Sequence, residues 1–315
     1  MRPEDPLPSP YVGADGRALA GVLAVFQTPF EADGRIDRRT LEAEIDWLFA
    51  NGADGLVFAM VSEVPRLASD ERDEVAALAC DLATGRGPTV ISVGAESTAV
   101  AIRHARHAED SGASAVMATP PGLYRVGDDE LLRYFLDIAG SVTVPLVVQD
   151  ASGYVGAPLS IELQARLQSE LGDRVMFKPE ARPIGPRLSR LLESTDGRAR
   201  AFDGTGGLHL IDNFRRGVVG TMPAGDLVWA LSAMWAALSA GDYPRAYRIA
   251  GPLALMVSMQ TSLDAFVAIE KHLLVHQGVF PTATMRGPVG HGLDPQTLDE
   301  VERLFALLRS AVDGG

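Results

Sequence analysis

The chain is short of the residues that most often carry nucleophilic chemistry. Among 315 residues there is one cysteine, Cys80. A single thiol permits no internal disulfide, so a reducing, cytoplasmic setting is expected. Cys80 ends the run Val75-Ala-Ala-Leu-Ala-Cys80, where a small core residue is a plainer reading than a nucleophile. Lysine is also scarce. Of 28 Lys and Arg side chains only two are lysines, Lys178 and Lys271; the other 26 are arginines. A codon bias accounts for the imbalance, but it leaves only two candidates for amine chemistry. Arginine stays protonated and is a poor nucleophile.

Long apolar runs are missing too. The longest uncharged stretches, 227–241 and 249–263, fall short of the roughly 20 residues a membrane-spanning helix requires. A basic surplus is likewise absent: the formal net charge is −13. That argues against nucleic-acid binding, which rests on clustered Lys and Arg. At 47% hydrophobic and 22% charged, the chain has the composition of a globular protein and not of a disordered one. Residues 1–10 are Pro-rich and acidic, without the apolar segment of a signal peptide. Residues 1–20 are read as a loose arm.

From residue 21 to 225, short apolar runs alternate with longer amphipathic stretches. The strand candidates are 22–27, 55–60, 89–93, 115–119, 146–149, 175–178, 199–202 and 218–221. Most are apolar throughout, as parallel strands buried on both faces require. Helices are expected over 38–51, 69–84, 98–111, 128–139, 160–171, 184–193 and 208–216. Ser69 followed by Asp70 and Glu71 reads as an N-cap with acids in the first turn. This pattern predicts an α/β fold, a (β/α)8 TIM barrel. A doubly wound sheet would open on a Gly-rich turn, and the first strand here runs into Gln27-Thr-Pro-Phe30 instead. Residues 226–315 are read as a C-terminal helical region of about four helices. Two of these are apolar enough to need the barrel or a partner subunit to cover them.

Barrel enzymes place their chemistry at the C-terminal ends of the strands. The polar residues there are Thr28, Ser62, Glu63, Thr119, Gln149, Asp150, Lys178, Glu180, Asp203, Thr205 and Thr221. Lys178 ends the apolar run Val175-Met-Phe-Lys178. Desolvation favours a neutral amine, which can attack a carbonyl to form a Schiff base. A lysine that pairs with Glu180 or reaches out to solvent is the alternative. Lys271 lies in the helical tail beside Glu270 and reads as structural. Glu180 follows Lys178 by two, so in an extended strand the two share a face. There it is either a proton-transfer group or simply a salt-bridge partner. Gly204-Thr205-Gly206-Gly207 ends the seventh strand. Its amides suit a carboxylate or hydroxyls, with a ligand-free tight turn as the alternative. His104 and His107 read as a solvated helix face. His272 and His276 have i, i+4 spacing without the glutamate of the zinc-protease motif, so no metal site is expected.

These residues resemble a known family. Thr28-Pro-Phe30 with Asp33-Gly-Arg-Ile-Asp37, Gly52-Ala-Asp-Gly55, Ser62-Glu63 with Leu67-Ala-Ser-Asp-Glu-Arg72, Val93-Gly94, Gly112-Ala113, Pro145-Leu-Val-Val148 and the strand ending in Lys178 are similar to the dihydrodipicolinate synthase and N-acetylneuraminate lyase family. The resemblance covers about residues 20 to 290. It implies a barrel with a helical tail, a homo-oligomer (dimer or tetramer), and a Schiff base between Lys178 and a small 2-keto acid.

The departures bear on the substrate. The family's loop after the second strand reads Gly-Thr-Thr-Gly-Glu; here it is Ala59-Met-Val-Ser-Glu63. The family's strand-five tyrosine, its acid/base, aligns with Gln149, and the synthase's substrate-binding arginine aligns near Tyr154. Pro120-Pro-Gly-Leu-Tyr-Arg125 replaces the family's tyrosine-bearing segment. With Lys178-Pro-Glu180 and Gly204-Thr-Gly-Gly207, these features resemble the 2-keto-3-deoxy-sugar-acid dehydratase branch, above all 2-keto-3-deoxy-L-arabonate dehydratase. That resemblance implies Lys178 and Glu180 as catalytic residues, and Ser62, Glu63, Gln149, Gly204, Thr205 and Gly206 around the substrate. The iminium is the electron sink, so no cofactor is implied. A pyruvate-dependent aldolase and a non-catalytic acid-binding member are the rival readings.

Overall fold

The apolar runs pair side by side into a ring. The computed structural model describes residues 9–13, 16–154 and 156–314. Eight strands, β1 (Gly21–Val25), β2 (Gly55–Phe58), β3 (Thr89–Ser92), β4 (Ala115–Ala118), β5 (Leu146–Asp150), β6 (Val175–Pro179), β7 (Phe202–Asp203) and β8 (Gly220–Thr221), are joined by helices. Their order is β6-β5-β4-β3-β2-β1-β8-β7, with every pair parallel. A parallel bridge between Phe177 and Ala201 joins the two ends, and the Phe177 N–H donates to the Arg200 carbonyl at 2.9 Å. The chain is a TIM barrel. β7 and β8 are shorter than the runs 199–202 and 218–221 suggest, although Val219 N–H to Ala201 O and Met222 N–H to Asp203 O continue the ladder.

Alternation along the strands divides the core in two. Leu23, Val25, Val57, Val90, Met117, Val147 and Met176 fill the inside of the barrel. Val22, Ala24, Leu56, Val116, Val148, Val175 and Phe177 face the helices. Successive strand residues point to opposite faces, so one such assignment fixes the others.

The helices are α1 (Arg38–Ala50), α2 (Ser69–Ala83), α3 (Thr98–Asp110), α4 (Asp128–Gly140), α5 (Ile161–Leu171), α6 (Ile184–Ser194) and α7 (Leu210–Arg215). Caps fix several starts. Asp37 accepts from the Thr40 N–H at 3.0 Å, and Ser160 from the Leu163 N–H at 3.0 Å. The cap of α2 is Ala68 and not Ser69; Glu71 reaches back to the Ala68 N–H at 2.9 Å. Four more helices follow: α8 (Val228–Ser239), α9 (Tyr243–Ser258), α10 (Leu263–His276) and α11 (Pro295–Asp313). Their apolar faces, with Leu231, Met234, Leu253, Ile269 and Leu308, join the core between barrel and helices.

Two expectations need correction. The arm expected over 1–20 is partly ordered: Tyr11–Val12 pairs antiparallel with Ala18–Leu19, and Leu19 with Tyr11 closes the barrel interior. Residues 1–8 of that arm lie outside the described residues. His104 is not on a solvated face. It is buried between α2 and α3, with Nδ1 2.6 Å from Asp73 Oδ1. His107 joins it through the Asp73 carbonyl at 2.8 Å. Cys80 is buried, and burial pushes its thiol up to about 11, so it packs as a small apolar group. No helix among the described residues is long and apolar enough to cross a membrane.

Candidate active site

Strand alternation brings the two candidate catalytic residues together. Met176 lies inside the barrel, so Lys178, two residues on, points inward as well. The same holds for Gln149 above Val147, and Gln149 is the register partner of Lys178. Lys178 and Gln149 are each 4% exposed. Lys178 Nζ lies 3.1 Å from Glu180 Oε1. The Gln149 side-chain amide donates to the same oxygen at 2.9 Å. The Gln149 carbonyl oxygen is buried and has no hydrogen-bond partner among the described residues.

Gly204 completes this arrangement by having no side chain. A Cβ there would stand 2.8 Å from Glu180 Oε1 and 2.9 Å from Lys178 Cε. Only glycine lets the end of β7 come this close. Asp203 then ties the turn down. It accepts from the Thr205 hydroxyl at 2.8 Å, the Asn213 amide at 2.7 Å and the Thr221 hydroxyl at 3.1 Å.

Two adjoining spaces border the pair. An inner chamber of about 30 Å³, enough for about one water, is lined by Lys178, Gln149, Glu180, Met60 and Val61 among others. An outer cavity of about 420 Å³ opens beyond it, within the range of small-ligand sites. Tyr154, Glu180, Gly204, Gly206 and Phe266 line both spaces. Tyr154 therefore stands where the outer cavity adjoins the space at the lysine.

Burial governs the titration of the site. Desolvation raises the Glu180 carboxyl above its ordinary range, and the charge of Lys178 and the Gln149 hydrogen bond pull it back in part. Burial pushes the Tyr154 phenol up to about 12, and the negative charge of Glu180 adds to this. Tyr154 is therefore a protonated donor at neutral pH. Asp150 steadies the loop that carries it, accepting from the Ser152 and Leu159 N–H groups at 3.2 and 3.0 Å.

Not every expected site residue reaches the cavity. Ser62 is fully buried, and its hydroxyl donates to the Phe26 carbonyl at 2.5 Å. Glu63 lies in the left-handed region at φ 59° and turns away from the chamber. Its carboxylate accepts from Lys271 at 2.5 Å and from the Arg286 N–H at 3.2 Å. Both side chains are committed to internal partners, which corrects their expected place beside the substrate. Thr205 lines the outer cavity, but its hydroxyl is spent on Asp203 and the His209 N–H. Gly204 and Gly206 line both spaces.

Some lining residues were not legible in the sequence. Arg182 and His209 stand on the outer wall. Val257, Ser258, Gln260, Thr261 and Phe266 bring the helical tail into the site. The one available signal is the polar stretch Ser258-Met-Gln-Thr261 between two apolar helices.

Comparison with known proteins gives the family and the fold. The sequence model of the dihydrodipicolinate synthetase family matches residues 18–307. The 4-hydroxy-tetrahydrodipicolinate synthase of Thermomicrobium roseum is 32% identical over 78% of this chain and 82% of its own length. The L-2-keto-3-deoxyarabonate dehydratase of Azospirillum brasilense is 27% identical over 72% of this chain and 75% of its own. Some other synthases match over about half of their length. A crystal structure described as a putative dihydrodipicolinate synthetase from Pseudomonas aeruginosa superposes with a TM-score of 0.86. It is 24% identical and covers 93% of this chain and 100% of that one.

Proposed function

The chain belongs to the dihydrodipicolinate synthetase family and is a lyase of the class I aldolase kind, and we propose that Lys178 forms a Schiff base with a 2-keto-3-deoxy sugar acid, which the enzyme dehydrates. The observation that carries this reading is the group formed by Lys178, Glu180 and Gln149 at the floor of the cavity. A tyrosine on β5 would supply an acid/base beside the imine. Gln149 cannot transfer protons, but it does hold Glu180 in place.

The chemistry runs as follows. The Lys178 amine adds to the C2 ketone and water leaves, giving an iminium. Glu180 takes a proton from C3, and the electron pair moves into the iminium to form an enamine. A carboxylate with a raised pKa is a stronger base at neutral pH than a free one. The enamine pair then expels the C4 hydroxyl, which leaves as water with a proton from the acid. Protonated Glu180 and Tyr154 are the donors at hand. This leaves a C3=C4 double bond conjugated to the iminium. Loss of a proton from C5 and gain of one at C3 turn it into a C4–C5 enol, whose tautomerisation, with hydrolysis of the imine, frees Lys178 and a 2-keto acid with a second carbonyl at C5. The net change is loss of one water, with no external oxidant. The unpartnered Gln149 carbonyl suits a substrate hydroxyl. With the Ser62 hydroxyl held by the Phe26 carbonyl, main-chain amides at Met60 and Val61 are left to meet the C1 carboxylate.

A second reading is a pyruvate-dependent aldolase, favoured by the synthase at 32% identity. Product mass separates the two: dehydration removes 18 Da from the substrate, whereas retro-aldol cleavage releases pyruvate. Borohydride reduction in the presence of 2-keto acids tests the shared step. A keto-acid adduct on Lys178, absent in Lys178→Ala, is expected. No adduct at Lys178 with any 2-keto acid would overturn the mechanism.

A further inference from the structure

The outer cavity carries an uncommitted positive charge. Arg182 lies on its wall and makes no hydrogen bond or ion pair with another described residue. The acid that shares the lining, Glu180, is held by Lys178 and Gln149. Arg182 and Tyr154 line the same cavity, and the positive charge of the guanidinium acts on the phenol. His209 stands on the same wall and adds a second nitrogen donor or acceptor.

From this arrangement we infer that Arg182 binds an anionic group at the far end of the substrate, a carboxylate or a phosphoryl group. The inference rests on the proposed 2-keto-acid chemistry and narrows its substrate class. A keto acid fixed at C2 by Lys178 must direct its remaining carbons past Tyr154 into the outer cavity, since the inner chamber holds about 30 Å³. Its far end then meets Arg182. A guanidinium presents a planar fork of donors that matches a carboxylate or phosphate in two parallel hydrogen bonds. A substrate ending in a neutral hydroxymethyl group would leave that fork unused. On this view the reaction that supplies the substrate yields an acid at both ends, or a phosphorylated acid. Arg182 is then a specificity-determining residue, and Lys178 and Glu180 act on either class of substrate.

Three acids that differ only at the far end test this: 2-oxopentanoate, 2-oxoglutarate and 2-oxo-4-phosphonobutanoate. Calorimetric binding to the intact protein and to Arg182→Gln, an exposed position, is the readout. At least one anion-ended acid should bind about tenfold to a hundredfold more tightly than 2-oxopentanoate, the usual worth of a charge-assisted hydrogen bond. Arg182→Gln should abolish that preference and leave 2-oxopentanoate unchanged. Which of the two anions gains more separates a carboxylate from a phosphoryl terminus. Equal affinity for all three acids, undetectable binding included, overturns the inference, as does a preference that survives in Arg182→Gln. Borohydride trapping of the same mixtures reports on Schiff-base chemistry separately. Anion preference without any adduct would refute the imine and keep the anion site; adducts without preference would do the reverse.

Discussion

The two lysines of this chain each meet a buried glutamate, and the two pairs behave as opposites. Lys271 is fully buried, and all of its donor capacity is used. It donates to Glu63 at 2.5 Å and to the carbonyls of Thr28 and Thr284 at 2.8 Å each. An ammonium has three protons, and here each has an acceptor. Lys178 has one polar partner among the described residues, Glu180 at 3.1 Å, and it borders a chamber. Burial is common to both. What would separate a structural amine from the proposed reactive one is spare valence facing open space. Lys271 is locked on every side and joins α10 to the turn at Glu63. Lys178 has room for an incoming carbonyl.

Exchanging the lysines' roles by mutation gives the largest expected effects. Lys178→Ala should lower turnover by at least about a thousandfold, since the covalent route is lost. Its fold should survive, because Glu180, freed of the cation, can hold a proton. Lys271→Met should do the reverse. It takes the nearer of two cations from the buried Glu63 carboxylate and leaves Arg66 at 3.4 Å, which costs up to about 3–5 kcal/mol. Denaturant unfolding measures that loss, and the variant that stays folded should still form a borohydride adduct. If Lys271→Met kept full stability while losing adduct formation, the contrast between the two pairs would be wrong.

Glu180→Gln sharpens the comparison from the carboxylate side. Loss of a positioned general base is expected to cost about 10²–10⁴ in turnover. Adduct formation at Lys178 should persist. The pH profile gives a further check. Only ionised Glu180 accepts a proton, so activity should rise as pH passes through its carboxyl. Burial places that limb above the ordinary carboxylate range. In Glu180→Gln this limb should vanish. Glu63 serves as the control: it turns away from the chamber, so its loss should act on stability and leave the limb in place.

Much of this contrast could be read in the sequence. Lys178 ends an apolar strand, and strand alternation alone put Glu180 on the same face. The barrel was equally legible, because its strands are buried on both sides and read as unbroken apolar runs. Lys271 was separated from Lys178 by its place in the tail. The role of Glu63 was not legible. It follows Ser62 at a strand end, where barrel chemistry gathers, but its direction depends on a left-handed φ of 59° and on partners more than 200 residues away. The burial of His104 was hidden for a similar reason, since its partner Asp73 lies on the neighbouring helix. Local periodicity reports which face a residue takes. It does not report which distant charge waits there.

A third group of buried charges extends the comparison with a smaller effect. Gln27, just past β1, ties Glu44 on α1 to Glu270 on α10: its N–H donates to Glu44 at 2.9 Å and its amide to Glu270. Glu270 also accepts from the Gly225 N–H at 2.8 Å. Asp226 is close enough to raise both carboxyls, and the opposing charge that acts on Glu44 is Lys271, already held by Glu63. Burial pushes Glu44 up to about 8, from 4.5 in an exposed chain, and Asp226 and Glu270 are raised as well. Between those pH values the folded chain keeps protons that the unfolded chain has released. The stability contributed by the protonated carboxyls is therefore whole below about pH 4.5 and is lost as pH rises through about 8. Glu44→Gln fixes the neutral form at one of the three positions and keeps an acceptor for the Gln27 N–H. It should flatten the fall in melting temperature between pH 5 and pH 9, with little change at pH 5. An equal fall in both proteins would mean that Glu44 ionises freely in the folded state, and the sealed region would then tolerate charge as readily as the open chamber at Lys178.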